Sequence, residues 1–166
     1  KQEIDNQKNK ALECFKNKIA NNRTPENIIQ SLQETINEFY PKNNDNLLQH
    51  CLLGEIEREK ECNVFDDNMV GLVYGLGVCR HMATLVNYLI KNSELENLQA
   101  CAIDNGGHAW NYLRFKNNNN TYTYYKVDTY YKTSQTINQE EITNTFKKKY
   151  QQNDVSLDNV FNSCFD

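Results

Sequence analysis

The segment from Gly75 to Tyr131 constrains the fold more than any other part of this 166-residue chain. Its first half places apolar side chains at helical spacing on almost every side, which predicts a buried helix that begins at or just before Cys79. Its second half changes to runs of aromatic and β-branched residues, which favour strands. The apolar positions of the helical half are Val78, Met82, Leu85, Val86, Leu89 and Ile90.

The strand-forming half divides into three short runs. Leu98 to Ile103 is apolar and predicts one strand, and His108 to Phe115 and Thr121 to Asp128 predict an antiparallel hairpin. Asp104-Asn105-Gly106-Gly107 has the composition of a turn.

Helices are predicted on both sides of this segment. Residues 1–20 and 24–40 have helical spacing, and Thr24-Pro25-Glu26 is typical of a helix start. A third helix is expected from Asp45 or Asn46 to about Ile56, and a last one around Gln139 to Tyr150. The stretch from Cys62 to Tyr74 reads as a loop, and the tail carrying Val155, Val160 and Phe161 is expected to pack back onto the core.

This order of elements predicts an α+β fold in one domain spanning residues 1–166, with a helical N-terminal part packed on a small antiparallel sheet. The chain begins with Lys1 rather than Met, which we interpret as an excised or processed segment. The net charge is −4 with both signs interspersed, and no apolar run approaches the ~18 residues of a membrane span. We therefore expect a soluble protein with no nucleic-acid or membrane partner, and the oligomeric state stays open.

The six cysteines are scattered and form no Cys-x-x-Cys pair, which disfavours a zinc ribbon. A disulfide framework would fit a secreted protein. Free thiols in a reducing cytosol, that of a host cell included, are the favoured alternative.

Cys79 is a candidate nucleophile because it stands at the predicted start of a helix. The unpaired N–H groups and the dipole at this end of a helix favour a thiolate, and the backbone N–H of Cys79 could serve a developing oxyanion. Gly75 and Gly77 would allow a tight turn and a close approach of substrate to the backbone. The alternative is a buried structural cysteine, and Cys79 alone does not decide between the two.

His108 and Asp128 supply the partners that a thiol nucleophile needs. If the hairpin loop is Lys116 to Asn120, His108 lies directly opposite Asp128, on the same face of the sheet. The carboxylate could then hold one imidazole nitrogen and leave the other for Cys79. A register shift of one residue would place the two side chains on opposite faces.

Three sequence blocks resemble the transglutaminase-like superfamily, the papain-related group with a Cys-His-Asp triad. They are Gly77-Val78-Cys79-Arg80 opening a helix, Gly107-His108-Ala109-Trp110-Asn111, and Val127-Asp128. The resemblance covers roughly residues 70–131 and implies a papain-like core. It implies that Cys79 is the nucleophile, His108 the general base and acid, and Asp128 its orienting partner. It also implies an upstream oxyanion donor, for which Tyr74 and Asn68 are candidates, and Trp110 is a further candidate for contacting substrate.

The same residues could instead bind a metal ion. A zinc site could be formed by Cys79, His81, His108 and Asp128. Cys79 and His81 are two residues apart on a helix, however, so their side chains diverge by about half a turn. His81 is instead expected on a pocket wall or on the polar side of its helix, and no cofactor is predicted. Five tyrosines could line a substrate groove, although ordinary sheet positions are favoured: Tyr122, Tyr124, Tyr125, Tyr130 and Tyr131.

The sequence therefore predicts a cysteine-dependent acyl-transfer enzyme that acts on amides of a protein or peptide substrate through a thioester. Glutamine deamidation or amide hydrolysis is favoured. Transglutaminase cross-linking and papain-like peptidase activity are alternatives within the same chemistry. A non-catalytic partner-binding domain of the same fold is the alternative outside it.

Overall fold

The computed structural model describes residues 2–41 and 69–164. These residues form an α+β fold of five α-helices, a short 3-10 helix and one four-stranded sheet. The helices are α1 (Gln2–Ile19), α2 (Pro25–Phe39), α3 (Cys79–Asn92), α4 (Gln139–Tyr150) and α5 (Leu157–Ser163), with the 3-10 helix at Val70–Tyr74. The strands are β1 (Leu98–Asp104), β2 (Ala109–Lys116), β3 (Tyr122–Asp128) and β4 (Thr133–Ile137).

The sheet is a simple antiparallel meander in the order β1-β2-β3-β4. Its central strand β2 is buried at every position except Lys116, because helices cover both faces of the sheet. The odd-numbered side chains of β2 face α1, α2 and α3, and the even-numbered ones face α4 and α5. Two apolar cores therefore form, one on each side of the sheet.

The first two helices begin and end as their sequences predict. Thr24 caps α2 by accepting the N–H of Asn27 at 3.3 Å, and Pro25 occupies the first turn, where its missing N–H is not needed. Their apolar stripes pack together and against α3, which completes the larger core.

The direction of α3 is fixed by its connection to the sheet. The helix ends at Asn92, and after five intervening residues β1 begins beside the last residues of β2. Since α3 is about as long as β1 and packs along β1 and β2, it runs in the same direction as β2. The first residues of α3 and of β2 therefore lie at the same end of the sheet.

A buried amide joins α3 to β2 near this end. Asn111 has no exposed surface, and its Nδ2 donates to the carbonyl oxygen of Ala83 at 3.0 Å and to Oδ1 of Asn87 at 2.9 Å. Ala83 lies one helical turn beyond Cys79, so this contact sets the position of the start of α3 against the start of β2.

Several elements differ from the sequence expectations. The stretch before Tyr74, expected to be a loop, contains the 3-10 helix, and the C-terminal tail forms α5 with Leu157, Val160 and Phe161 buried. Strand β4 was not predicted, because Thr133–Ile137 has no apolar alternation and is largely exposed at the sheet edge. The third helix expected near Leu47 lies outside the described residues.

Cys101 of β1 and Cys164 at the end of α5 form a disulfide bond that spans 63 residues. The prediction of free thiols is wrong for this pair, whereas Cys14 and Cys79 are free. Cys51 and Cys62 lie outside the described residues. None of the helices in the described ranges is both long enough and apolar enough to cross a bilayer.

Replacing Asn111 with leucine should lower the free energy of unfolding by about 2–4 kcal/mol, because it removes two buried hydrogen bonds and takes the donor away from Oδ1 of Asn87. Urea unfolding followed by circular dichroism measures the loss. The matched control is Asn144→Leu on the exposed side of α4, which should change stability by no more than about 0.5 kcal/mol. Equal losses in the two variants would contradict the role assigned to Asn111.

Candidate active site

Cys79 is the first residue of α3, as its sequence context predicts, and its side chain is partly buried. Gly75 precedes it with a φ of +70°, which closes the 3-10 helix. A Cβ at Gly77 would lie 2.6 Å from two ring atoms of Tyr40. The space at Gly77 is therefore filled by the Tyr40 ring, and the expectation that this glycine admits substrate to the backbone is wrong.

His81 helps to fix the start of the helix. Its Nδ1 accepts the backbone N–H of Val78 at 3.0 Å, which satisfies one of the donors that a helix start leaves unpaired. The side chain has no exposed surface, so the prediction that it would lie on a pocket wall or on the polar side of α3 is wrong.

The turn before His108 is held by the side chains of its own residues. Asn105 Oδ1 accepts the backbone N–H groups of Gly107 at 3.0 Å and His108 at 2.9 Å, and Asp104 Oδ1 accepts that of Gly106 at 2.7 Å. Gly106 has a φ of +91°, which a side chain would strain. This network fixes the backbone at His108 before β2 begins.

His108 and Asp128 contact each other, but not through the expected register. Asn111 pairs with Val127 and Phe115 with Thr123, so the register differs by two residues from the one that would place His108 directly opposite Asp128. A shift of two keeps both side chains on the same face, as diagonal neighbours. The distance from His108 Nε2 to Asp128 Oδ2 is 2.5 Å.

The Asp128 carboxylate is held on both oxygens. Oδ2 faces His108, and Oδ1 accepts the backbone N–H of Tyr131 at 3.0 Å. Only 7% of the Asp128 side chain is exposed, against 21% of the His108 side chain. A carboxylate has no proton to donate, so Nε2 of His108 carries the proton of this bond. In the neutral ring Nδ1 is then the basic nitrogen.

Aromatic rings enclose the imidazole of His108. Trp110 stacks at a centroid distance of 5.9 Å, and Tyr131 and Tyr130 approach at 4.8 and 6.0 Å. Tyr130 and Tyr131 lie in the turn after β3, so the prediction that they are sheet residues is wrong, whereas Tyr122, Tyr124 and Tyr125 do lie in β3. No pattern in the sequence indicates that Tyr131 lies beside His108, because that contact depends on the β3–β4 turn.

The elements that carry Cys79, His108 and Asp128 begin or end at the same end of the sheet, with α3 on the face opposite α4 and α5. His108 precedes β2, Asp128 ends the antiparallel β3, and Cys79 begins the helix that runs parallel to β2. The structure joins His108 to Asp128 by a hydrogen bond, but within the described ranges it joins Cys79 to neither of them.

The two candidates for the upstream oxyanion donor are Tyr74 and Asn68. Tyr74 ends the 3-10 helix with an exposed side chain, and Asn68 lies outside the described residues. In the part of the chain that is described, no cluster of three or more histidine, cysteine or acidic side chains could hold a metal ion.

No protein-family model matches the chain, and comparison with curated proteins and with solved structures gives no match either. The residues and their geometry are therefore the basis for any functional conclusion.

Limiting iodoacetamide near neutral pH should label Cys79 faster than Cys14, by about tenfold or more. Burial and the hydrogen bond to Glu38 raise the pKa of the Cys14 thiol, which keeps it protonated and slow to react until the pH is alkaline. Peptide mapping by mass spectrometry measures both rates.

If His108 is the base for Cys79, as the sequence predicts, the variant His108→Ala should slow labelling of Cys79 and leave Cys14 unchanged, because the thiolate then loses the group that takes its proton. Equal labelling of the two cysteines, or a Cys79 rate that is insensitive to His108→Ala, would contradict a reactive site at this end of the sheet.

Proposed function

We propose that this protein is a cysteine-dependent acyl-transfer enzyme with a papain-like core, which forms a thioester with an amide of a protein substrate. The observation that supports the proposal most is the 2.5 Å contact between His108 and Asp128, at the end of the sheet where α3 begins with Cys79. The resemblance of the three sequence blocks to the transglutaminase-like superfamily supports the same assignment.

The first half-reaction starts with proton transfer from the Cys79 thiol to Nδ1 of His108. Asp128 holds the ring through Nε2 and stabilises the imidazolium that forms. The thiolate attacks the amide carbon, a C–S bond forms, and the carbonyl electron pair moves onto the oxygen. The imidazolium then gives its proton to the departing nitrogen, the C–N bond breaks, and an acyl-thioester remains on Cys79.

The second half-reaction resolves the thioester. Nδ1 of His108 removes a proton from water, the hydroxyl oxygen bonds to the acyl carbon, and the sulfur of Cys79 leaves with the C–S electrons. The imidazolium then returns its proton to the sulfur, which restores the thiol and the neutral ring. With a glutamine side chain as donor the products are ammonia and glutamate. A lysine amine in place of water would give an isopeptide bond, and attack on a backbone amide would give a cleaved chain.

The chemistry requires the sulfur of Cys79 within hydrogen-bond reach of Nδ1, a contact that is often long in a ligand-free enzyme and tightens when substrate binds. We favour hydrolysis over cross-linking, by analogy with small stand-alone domains of this superfamily.

The proposal is tested by incubating the protein with a cell lysate and sequencing the products by mass spectrometry. We expect glutamine residues converted to glutamate, and an acyl adduct on Cys79 after acid quenching. Isopeptide bonds or new chain termini would instead select cross-linking or peptidase activity.

Two cysteine variants control this experiment. Cys79→Ala should abolish every product, whereas Cys14→Ala, which removes the other free thiol of the described residues, should leave product formation unchanged. Products that persist in Cys79→Ala, or the absence of all three kinds from the unmodified protein, would refute the enzyme assignment and favour a binding domain.

A further inference from the structure

A cleft of about 690 Å³ opens on the sheet face that α4 covers, next to the candidate active site. Its apolar surface comes from the sheet, where Trp110, Tyr112 and Ile137 line it, and its other side is formed by α4 and the turn at Asp104–Gly106. This volume is large enough to hold several residues of a peptide.

Trp110 belongs both to the cleft and to the surroundings of His108. Its ring lines the cleft and stacks on the imidazole at 5.9 Å, so a chain bound in the cleft can continue directly to His108. Only 8% of Trp110 is exposed, and its Nε1–H is buried without an acceptor among the described residues.

Three lysines and two acidic residues, Asp104 and Glu141, border the apolar surface, so the formal net charge of the lining is +1. The ammonium group of Lys126 lies 4.6 Å from the centre of the Trp110 ring, and Lys148 and Lys149 reach the cleft from α4. Lys149 donates to the backbone carbonyl of Asp104. Within the described ranges neither Lys126 nor Lys148 forms an ion pair, so both charges are available to a ligand.

We propose that this cleft binds an acidic segment of the substrate, with apolar side chains between its carboxylates, beside the amide that reacts. The inference rests on the proposed function in one respect: the substrate chain that is bound in the cleft continues toward His108. The apolar side chains contact Trp110, Tyr112 and Ile137. The carboxylates pair with Lys126 and Lys148.

The fluorescence of Trp110 reports binding directly, because Trp110 is the single tryptophan of the chain. The experiment uses the whole chain carrying Cys79→Ala, so that no turnover occurs. The probe is a synthetic peptide of alternating glutamate and leucine residues around one glutamine, and its matched partner has lysine in place of each glutamate. We expect a saturable change in emission with the glutamate peptide and none with the lysine peptide.

The double variant Lys126→Gln with Lys148→Gln should weaken binding of the glutamate peptide by about fivefold, the effect of two partly exposed ion pairs. The matched control replaces two exposed lysines outside the cleft, Lys10→Gln with Lys91→Gln, and should bind as the parent does. No emission change, an equal response to the lysine peptide, or equal weakening in the two double variants would overturn the proposal.

The outcome is separable from that of the proposed function. Binding of the glutamate peptide together with the absence of any Cys79-dependent product leaves the cleft assignment standing and removes the enzyme. Cys79-dependent products with no binding of this peptide leave the enzyme standing and remove the acidic-substrate assignment.

Discussion

The burial of β2 on both faces is the constraint on which the rest of the structure depends. A strand covered on one side by α1, α2 and α3 and on the other by α4 and α5 has no solvent face. A one-residue slip of β2 would exchange the side chains between two differently shaped cores. This strand therefore has one tolerable register, and the groups attached to its ends have fixed positions.

Strand β2 also determines the positions of the residues in the candidate site. Asn111, within β2, holds α3 through two hydrogen bonds, and the Asn105 side chain holds the backbone of His108 just before β2 begins. The position of Asp128 is set by the pairing of β3 with β2. In the turn after β3, the backbone N–H of Tyr131 donates to the Asp128 carboxylate. Buried polar groups of this kind favour one arrangement of the chain, because any arrangement that leaves them without a hydrogen-bond partner costs free energy. The same strand places Trp110 between the imidazole and the cleft.

The β2–β3 hairpin shows which features of the fold can be predicted from local sequence pattern and which cannot. Alternation and turn composition locate β2 and β3 within one residue of their observed ends. Alternation and turn composition do not determine which residues of β2 pair with which residues of β3. The loop has five residues, as expected, but it is Asn117–Thr121 and not Lys116–Asn120. The resulting shift of two residues preserves the face of each side chain, so His108 still meets Asp128, although as a diagonal neighbour. A shift of one residue would have separated them, and the difference depends on packing against both cores.

The sequence by itself determined the helix that begins at Cys79, the capped start of α2, the turn before His108 and the α+β class. Each of these follows from periodicity or from short-range hydrogen bonding within a few residues. Tertiary structure alone decided the edge strand β4, the burial of His81, the Tyr40 ring against Gly77, the disulfide between Cys101 and Cys164, and the place of Tyr131 beside His108. Those contacts join residues that are distant in the chain or lack an apolar pattern, and only the packing of helices on both faces of one sheet brings them together.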